Sequence, residues 1–197
     1  MRQKKQATLG LIAVVRDEEY FILEWLWFHR LAGIEHFYLE VQSTDGTLEK
    51  IKSLPFYKEC ITVYEQQERD KVKAYQFLMD KHKNEVKWMI LADVDEFFFY
   101  SVKNDIKVAL KSFEKLACGG ILVPWTQMGL NGHVDRPPLP ITDHLVLSAP
   151  HAAQTQYKVI VKTEAYTGCS CAWCFDISLP YYYQGGTAVK QQKYSDH

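Results

Sequence analysis

Short apolar runs alternate with amphipathic segments through the first hundred residues of this chain, and that alternation leaves few folds open. Residues 8–15 (TLGLIAVV) are apolar and rich in β-branched side chains, which suits a strand buried on both faces. Phe21, Ile22, Trp25, Leu26, Phe28, His29 and Ala32 then recur at helical spacing, with Asp17 as the expected cap and Gly33 as the stop. Residues 35–41 predict a second strand, 48–54 a short helix ended by Pro55, and 61–64 a third strand. Residues 70–83 predict an amphipathic helix with Val72, Tyr75, Leu78 and Met79 inward, and 88–92 a fourth strand. Strand and helix in strict alternation imply a parallel sheet with right-handed crossovers, an α/β fold with helices flanking the sheet.

The second half is less regular. A helix capped by Asn104 or Asp105 is expected to run to about Leu116, followed by strands at 119–125, 157–163 and 172–177. Residues 126–156 hold Pro137, Pro138, Pro140 and Pro150 with Gly129 and Gly132 and show no period. A loop of that length in a compact domain usually has a function. Residues 181–197 read as polar and unpatterned. No repeat or linker divides the chain, so 1–197 reads as one domain, with 8–100 as its ligand-binding half and 101–197 as its less regular half.

Bulk properties exclude some classes. A net charge of -1 gives no general attraction to nucleic acid. No apolar run approaches a membrane span, and the N-terminal apolar stretch stops at Arg16-Asp17-Glu18-Glu19 without a cleavage site. Five cysteines, with Cys60 and Cys118 isolated, fit a reducing compartment. The expected location is the cytoplasm, with peripheral association at the inner membrane face.

The chemistry concentrates at the end of the fourth strand. Trp88–Ala92 leads straight into Asp93-Val94-Asp95-Glu96. Grouping carboxylates beside an apolar run is costly unless a cation neutralises them. Strand alternation would put Asp93 and Asp95 on one face, where a hard divalent ion such as Mn2+ or Mg2+ could bind and keep positions open for phosphate. The bland alternative is an acidic turn that closes a strand. Arg16 and Asp45 also follow strands, at the sheet edge where α/β proteins bind ligands. His29 and Glu24 read as structural, Glu24 bracing Arg16 or His29. Trp25, Trp27 and Phe28 read as core, while Trp125 and Trp173 divide evenly between core and a stacking platform for a ligand. Cys169-x-Cys171-x-x-Cys174 could hold zinc as thiolates, although the spacing matches no standard pair, or be inert thiols on a strand.

Taken together, Arg16-Asp17-Glu18-Glu19, Glu24-Trp25, His29 to Gly33, Ser43-Thr44-Asp45-Gly46-Thr47 and Asp93-Val94-Asp95-Glu96-Phe97 resemble the family-2-like and family-92-like glycosyltransferases of GT-A fold. Gly129 to His133 and Lys158 to Lys162 resemble a glycine-rich loop and a K-S-I-V-R segment more weakly. The resemblance implies a Rossmann-like, mostly parallel sheet and a sugar moved from a nucleotide-sugar donor to a glycan, lipid-linked or other hydroxyl acceptor. It also implies a divalent metal at Asp93 and Asp95, and donor contacts from Arg16, Asp17, Glu18, Asp45 and Asp93. Asp17 stands where the family usually has Asn, and Gln42 where Asn or Asp is usual. The late His that often completes the metal shell has no counterpart in residues 168–175. The catalytic base would be a carboxylate near the acceptor; of Asp135, Asp143, Glu164 and Asp176, Asp135 is favoured because the 126–156 loop is placed to cover the donor. Two other readings are a non-catalytic sugar-nucleotide-binding relative and a D-x-D phosphoryl-transfer enzyme with Asp93 as nucleophile. The latter would need Thr or Val where Phe97 stands.

Overall fold

The computed structural model describes residues 6–65, 70–149 and 156–189. Its elements in chain order are β1 (Ala7–Val15), α1 (Ile22–Leu31), β2 (His36–Val41), α2 (Thr47–Ser53), α3 (Tyr57–Cys60), β3 (Ile61–Tyr64), α4 (Lys71–His82) and β4 (Val86–Leu91). There follow α5 (Ile106–Leu110), β5 (Gly120–Pro124), β6 (Tyr157–Lys162), β7 (Tyr166–Cys171), β8 (Cys174–Ile177) and β9 (Tyr181–Tyr183).

A seven-stranded sheet runs in the order β3-β2-β1-β4-β6-β5-β9. Strands β1 to β4 pair in parallel, β6 is antiparallel to both β4 and β5, and β9 is parallel to β5. The mostly parallel α/β sheet expected from the alternation is therefore present, with β6 as its reversed member.

Strand alternation divides the core. Leu9, Leu11, Ala13 and Val15 of β1 face Trp25 and Leu26 of α1 in one apolar layer. Ile12 and Tyr38 join Tyr75, Leu78 and Met79 of α4 in the other. Both faces are covered, which explains why the strands read as unbroken apolar runs. Trp25 is fully buried, but Trp27 is 43% exposed and packs edge-on against Phe56. Its expected place in the core is corrected: it lies on the outer side of α1.

Two strands depart from the sequence reading. β7 pairs with β8 in a separate hairpin, and β9 lies within the stretch expected to be unpatterned. Three tyrosines acquire strand geometry from the edge that β5 offers. Residues 190–197 lie outside the described residues. The loop 126–149 has no named strand, although Met128 bridges Ser148 and residues 141–143 form one 3-10 turn.

Candidate active site

β1 is joined onward to β2 on one side and lies beside β4 on the other, so the strand order reverses between β1 and β4. Ligands of open α/β sheets bind outside the carboxyl ends of strands at such a reversal. The register Val15↔Val41 and Ile12↔Leu91 brings the ends of β2, β1 and β4 to one edge. The segments that begin at Arg16, Gln42 and Asp93 therefore meet there.

The first two segments are laced together. Asp17 N–H donates to Ser43 Oγ (3.1 Å), and its carboxylate accepts from Thr44 N–H (2.7 Å) and Thr44 Oγ1 (3.1 Å). Glu18 N–H donates to Thr47 Oγ1 (2.9 Å) and Glu19 N–H to Asp45 (3.1 Å). Asp17 sits at φ 52°, a left-handed conformation that Asp and Asn tolerate better than bulkier residues. Asp17 as helix cap is thus corrected: α1 starts at Ile22, Phe21 occupies the N-cap position, and no side chain caps it. Asp45 accepts from the backbone N–H of Thr47 (3.0 Å) as well as from its hydroxyl. Burial pushes the Asp45 carboxyl up, but the hydrogen bonds from Thr47 and Glu19 outweigh it and hold the group below its ordinary value. Arg16 is exposed and donates to Gln42 Oε1 (2.6 Å).

The third segment is a turn, and here the strand-alternation argument is corrected. β4 ends at Leu91, and Asp93 to Glu96 fold back so that Glu96 N–H donates to Asp93 O (3.1 Å). Glu96 Oε2 accepts from Asp93 N–H (3.0 Å). The turn, rather than pleat geometry, brings together ligand-capable oxygens of Asp93, Asp95 and Glu96, all within 4.8 Å of one another.

Charges the sequence reading missed surround this turn. Asp93 Oδ1 accepts from Tyr75 OH (2.9 Å) and pairs with Lys71; Oδ2 pairs with Lys158 (3.0 Å). Lys158 also pairs with Glu96 Oε1 (2.9 Å), and both side chains are buried. Burial pushes the Asp93 carboxyl up, yet Lys71 and Lys158 hold it below its ordinary value. Glu96 stays above its ordinary value because burial outweighs Lys158 and the Asp93 N–H. Glu18 is also raised, first by burial and then by Asp95 and Asp45, with Arg136 opposing. Glu18 therefore sits among the carboxylates of all three segments. Asp95 is exposed and makes no hydrogen bond or ion pair among the described residues.

The turn is anchored from behind. Trp25 Nε1–H donates to Glu96 O (2.8 Å). His29 Nδ1 bonds Trp25 O (2.9 Å), and its Nε2 accepts from Phe98 N–H (3.0 Å), which fixes a neutral imidazole protonated at Nδ1. Burial pushes His29 down to about 4, against a weaker upward pull from the Trp25 carbonyl. His29 is structural, as expected.

The long loop comes to the same edge. Glu24 accepts from Ile141 N–H (2.8 Å), Thr142 N–H (3.0 Å) and Thr142 Oγ1 (2.9 Å). That corrects the expectation that Glu24 braces Arg16 or His29: its role is structural, but its partner is the loop. Arg136 lies over the Tyr20 ring at 4.6 Å, and Tyr20 OH donates to Pro137 O (2.7 Å). Asp135 is therefore held next to a residue that touches the start of α1, but its own side chain is exposed and makes no hydrogen bond or ion pair among the described residues.

Away from this edge, Cys171 and Cys174 are joined as a disulfide at the tip of the β7–β8 hairpin. That removes two thiolates from any zinc set and leaves Cys60, Cys118 and Cys169 as free thiols. Trp173 is 59% exposed and Trp125 partly so. No helix among the described residues is long and apolar enough to cross a membrane.

No family model and no curated protein matches the sequence. Solved structures are similar in shape. S. aureus TarS 1–349 in complex with UDP superposes at a TM-score of 0.53 with 15% identity, over 89% of this chain and 60% of that one. The same protein in complex with UDP-GlcNAc gives 0.50 and 16%, over 66% and 37%. A 4-diphosphocytidyl-2C-methyl-D-erythritol synthase gives 0.49 and 11%, over 83% and 78%. This chain thus spans 60% and 37% of the two TarS chains, less than two thirds of either. At such identities the likeness establishes architecture alone: the fold is the Rossmann-like, mostly parallel α/β sheet of GT-A type.

Proposed function

We propose that this chain is a glycosyltransferase that moves a sugar from a nucleotide-sugar donor to a glycan or other hydroxyl acceptor, with Mn2+ or Mg2+ held by Asp93 and Asp95. The observation that carries the reading is the acidic turn at the reversal between β1 and β4, with the Arg16 and Asp45 segments beside it. The TarS structures with UDP and UDP-GlcNAc support a nucleotide sugar as the ligand of such an edge.

The donor set fits a hard cation. All its atoms are carboxylate oxygens, Asp95 has no competing partner among the described residues, and Asp93 is kept ionised. Glu96 is the brace, since one of its oxygens holds the Asp93 N–H and the other the buried Lys158, whereas one partner of Asp93, Lys71, is partly exposed. A bound divalent ion would neutralise the charge that develops on a departing nucleoside diphosphate. The chain's own residues do the rest. The Arg16 guanidinium can fork onto phosphate oxygens. The 43–47 loop, fixed by Asp17 and Asp45, forms the wall against which base or ribose packs. Arg136 and Pro137 close the acceptor side, with Asp135 as the base that would take the acceptor proton. The D-x-D phosphoryl-transfer reading is disfavoured because both Asp93 oxygens already accept bonds from Lys71, Tyr75 and Lys158, which blunts a nucleophile.

A thermal-shift panel of UDP, GDP, CDP and ADP with and without Mn2+ tests this. One diphosphate should stabilise the protein in a Mn2+-dependent way, and Asp95→Asn should abolish that gain without lowering the ligand-free melting temperature. Full metal-dependent stabilisation in the variant would overturn the assignment. Release of diphosphate from the matching sugar nucleotide separates an enzyme from a non-catalytic binder.

A further inference from the structure

We propose that the two lysines on Asp93 have different jobs: Lys158 is a permanent counter-ion, and Lys71 is an exchangeable one that leaves when a divalent cation binds and then receives the diphosphate. This rests on reading the acidic turn as a metal and diphosphate site.

The two ammonium groups are unequal in every respect that decides which can move. Lys158 belongs to β6, where it is paired in register with Val123. Its side chain is 7% exposed and lies between Asp93 Oδ2 (3.0 Å) and Glu96 Oε1 (2.9 Å). Withdrawing it would strand two carboxylates, one of them as deeply buried as itself, which is a severe penalty. Lys71 is the first residue of α4, immediately after the capping residue Asp70. Its side chain is 42% exposed, Asp93 is its one carboxylate partner among the described residues, and four rotatable bonds carry it into water without moving the helix. A partly exposed ion pair of this kind is cheap to break.

Oδ1 is the Asp93 oxygen that Lys71 holds; Lys158 holds Oδ2. A divalent ion held by Asp93 and Asp95 would need an Asp93 oxygen, and an ammonium in ion-pair contact with that oxygen would oppose the ion by like charge. The cheaper departure is that of Lys71. Tyr75, one turn further along α4, goes on donating to Oδ1 (2.9 Å), so the carboxylate keeps its orientation. The freed ammonium would stay tethered to the first turn of α4, beside Asp93, within reach of a diphosphate bound there with the ion. Lys71 thus disfavours the cation alone and favours the cation with its anion, a positive coupling between the two.

Titration calorimetry with Mn2+ alone, then with UDP at saturating Mn2+, tests this on wild type, Lys71→Met and Lys71→Arg. Lys71→Met should bind Mn2+ alone about fivefold or more tighter than wild type and bind UDP in the presence of Mn2+ more weakly. Lys71→Arg, which keeps the charge, should bind Mn2+ no tighter than wild type. If Lys71→Met binds Mn2+ with wild-type affinity while Asp95→Asn loses it, the exchange is overturned and the metal site stands. If neither wild type nor Lys71→Met binds Mn2+, both readings fall. If Lys71→Met tightens both ligands, Lys71 does not receive the diphosphate.

Discussion

His29 offers a test of how the acidic turn is supported. Its imidazole is fully buried and neutral, joining the Trp25 carbonyl to the Phe98 N–H. Its folded value of about 4 lies below its ordinary 6.5, so below 6.5 the unfolded chain binds a proton that the native state refuses. Stability contributed by this group is intact above pH 6.5, falls as pH drops through the window from 6.5 to 4, and is then constant. The full loss is about 3 kcal/mol, of which about 2.5 kcal/mol is gone by pH 4.5. His29→Leu removes that loss but leaves the buried Phe98 N–H without an acceptor, at a cost of about 2 kcal/mol at any pH. Urea unfolding followed by tryptophan fluorescence, with Trp25 and Trp88 as buried reporters, should therefore show wild type ahead by about 2 kcal/mol at pH 7.5 and no longer ahead at pH 4.5. Other acid-titrating groups act on both proteins and cancel in the difference. A difference that is the same at both pH values would refute the neutral, buried histidine.

The remaining expectations concern the edge of the sheet. Glu24→Ala should release the Ile141–Thr142 backbone and speed proteolysis within 126–149, while UDP with Mn2+ should slow it in wild type; equal rates in all samples would remove the covering role of the loop. Asp45→Ala should lower stability by about 1 kcal/mol through loss of its bonds to Thr47 and Glu19, and should weaken diphosphate binding as well; unchanged binding would confine Asp45 to a structural role. Lys158→Met should destabilise the protein by about 3–5 kcal/mol in urea unfolding at neutral pH, and a loss under 1 kcal/mol would contradict the buried ion triad.

The parallel half of the sheet was readable because β1 to β4 are apolar on both faces and each lies between recognisable helix signals. α4 begins within one residue of its expected start, where Asp70 caps it by accepting from Val72 and Lys73 N–H. β7 was not readable: YTGCSC alternates weakly and pairs only with β8. The acidic turn announced its own location, but its counter-ions did not. Lys71 and Lys158 lie 22 and 65 residues from Asp93, and a lysine opening a helix or interrupting a strand normally reads as surface. The lysine inside YKVIVK was the one available hint, since a charge in a strand that is otherwise buried needs a partner. Asp17 misled because a carboxylate ahead of an apolar helix is the usual cap signature, whereas here the neighbouring loop claims it.

The reversed strand also governs the order in which the molecule can be assembled. Residues up to about 100 suffice to lay down β1 to β4 in parallel, but β4 then has an open edge and its acidic turn lacks the cation that neutralises it most deeply. Both deficits are removed by β6, whose Lys158 arrives 65 residues after Asp93. Closing a loop of that length is slow compared with the local contacts that precede it. Before β6 docks, an assembling chain has an unpaired β4 edge beside an acidic turn for which Lys71 of α4 is the one ammonium already in place among the described residues. Negative charge next to an open strand edge disfavours the addition of another chain, a protection those carboxylates can give β4 until β6 pairs with it.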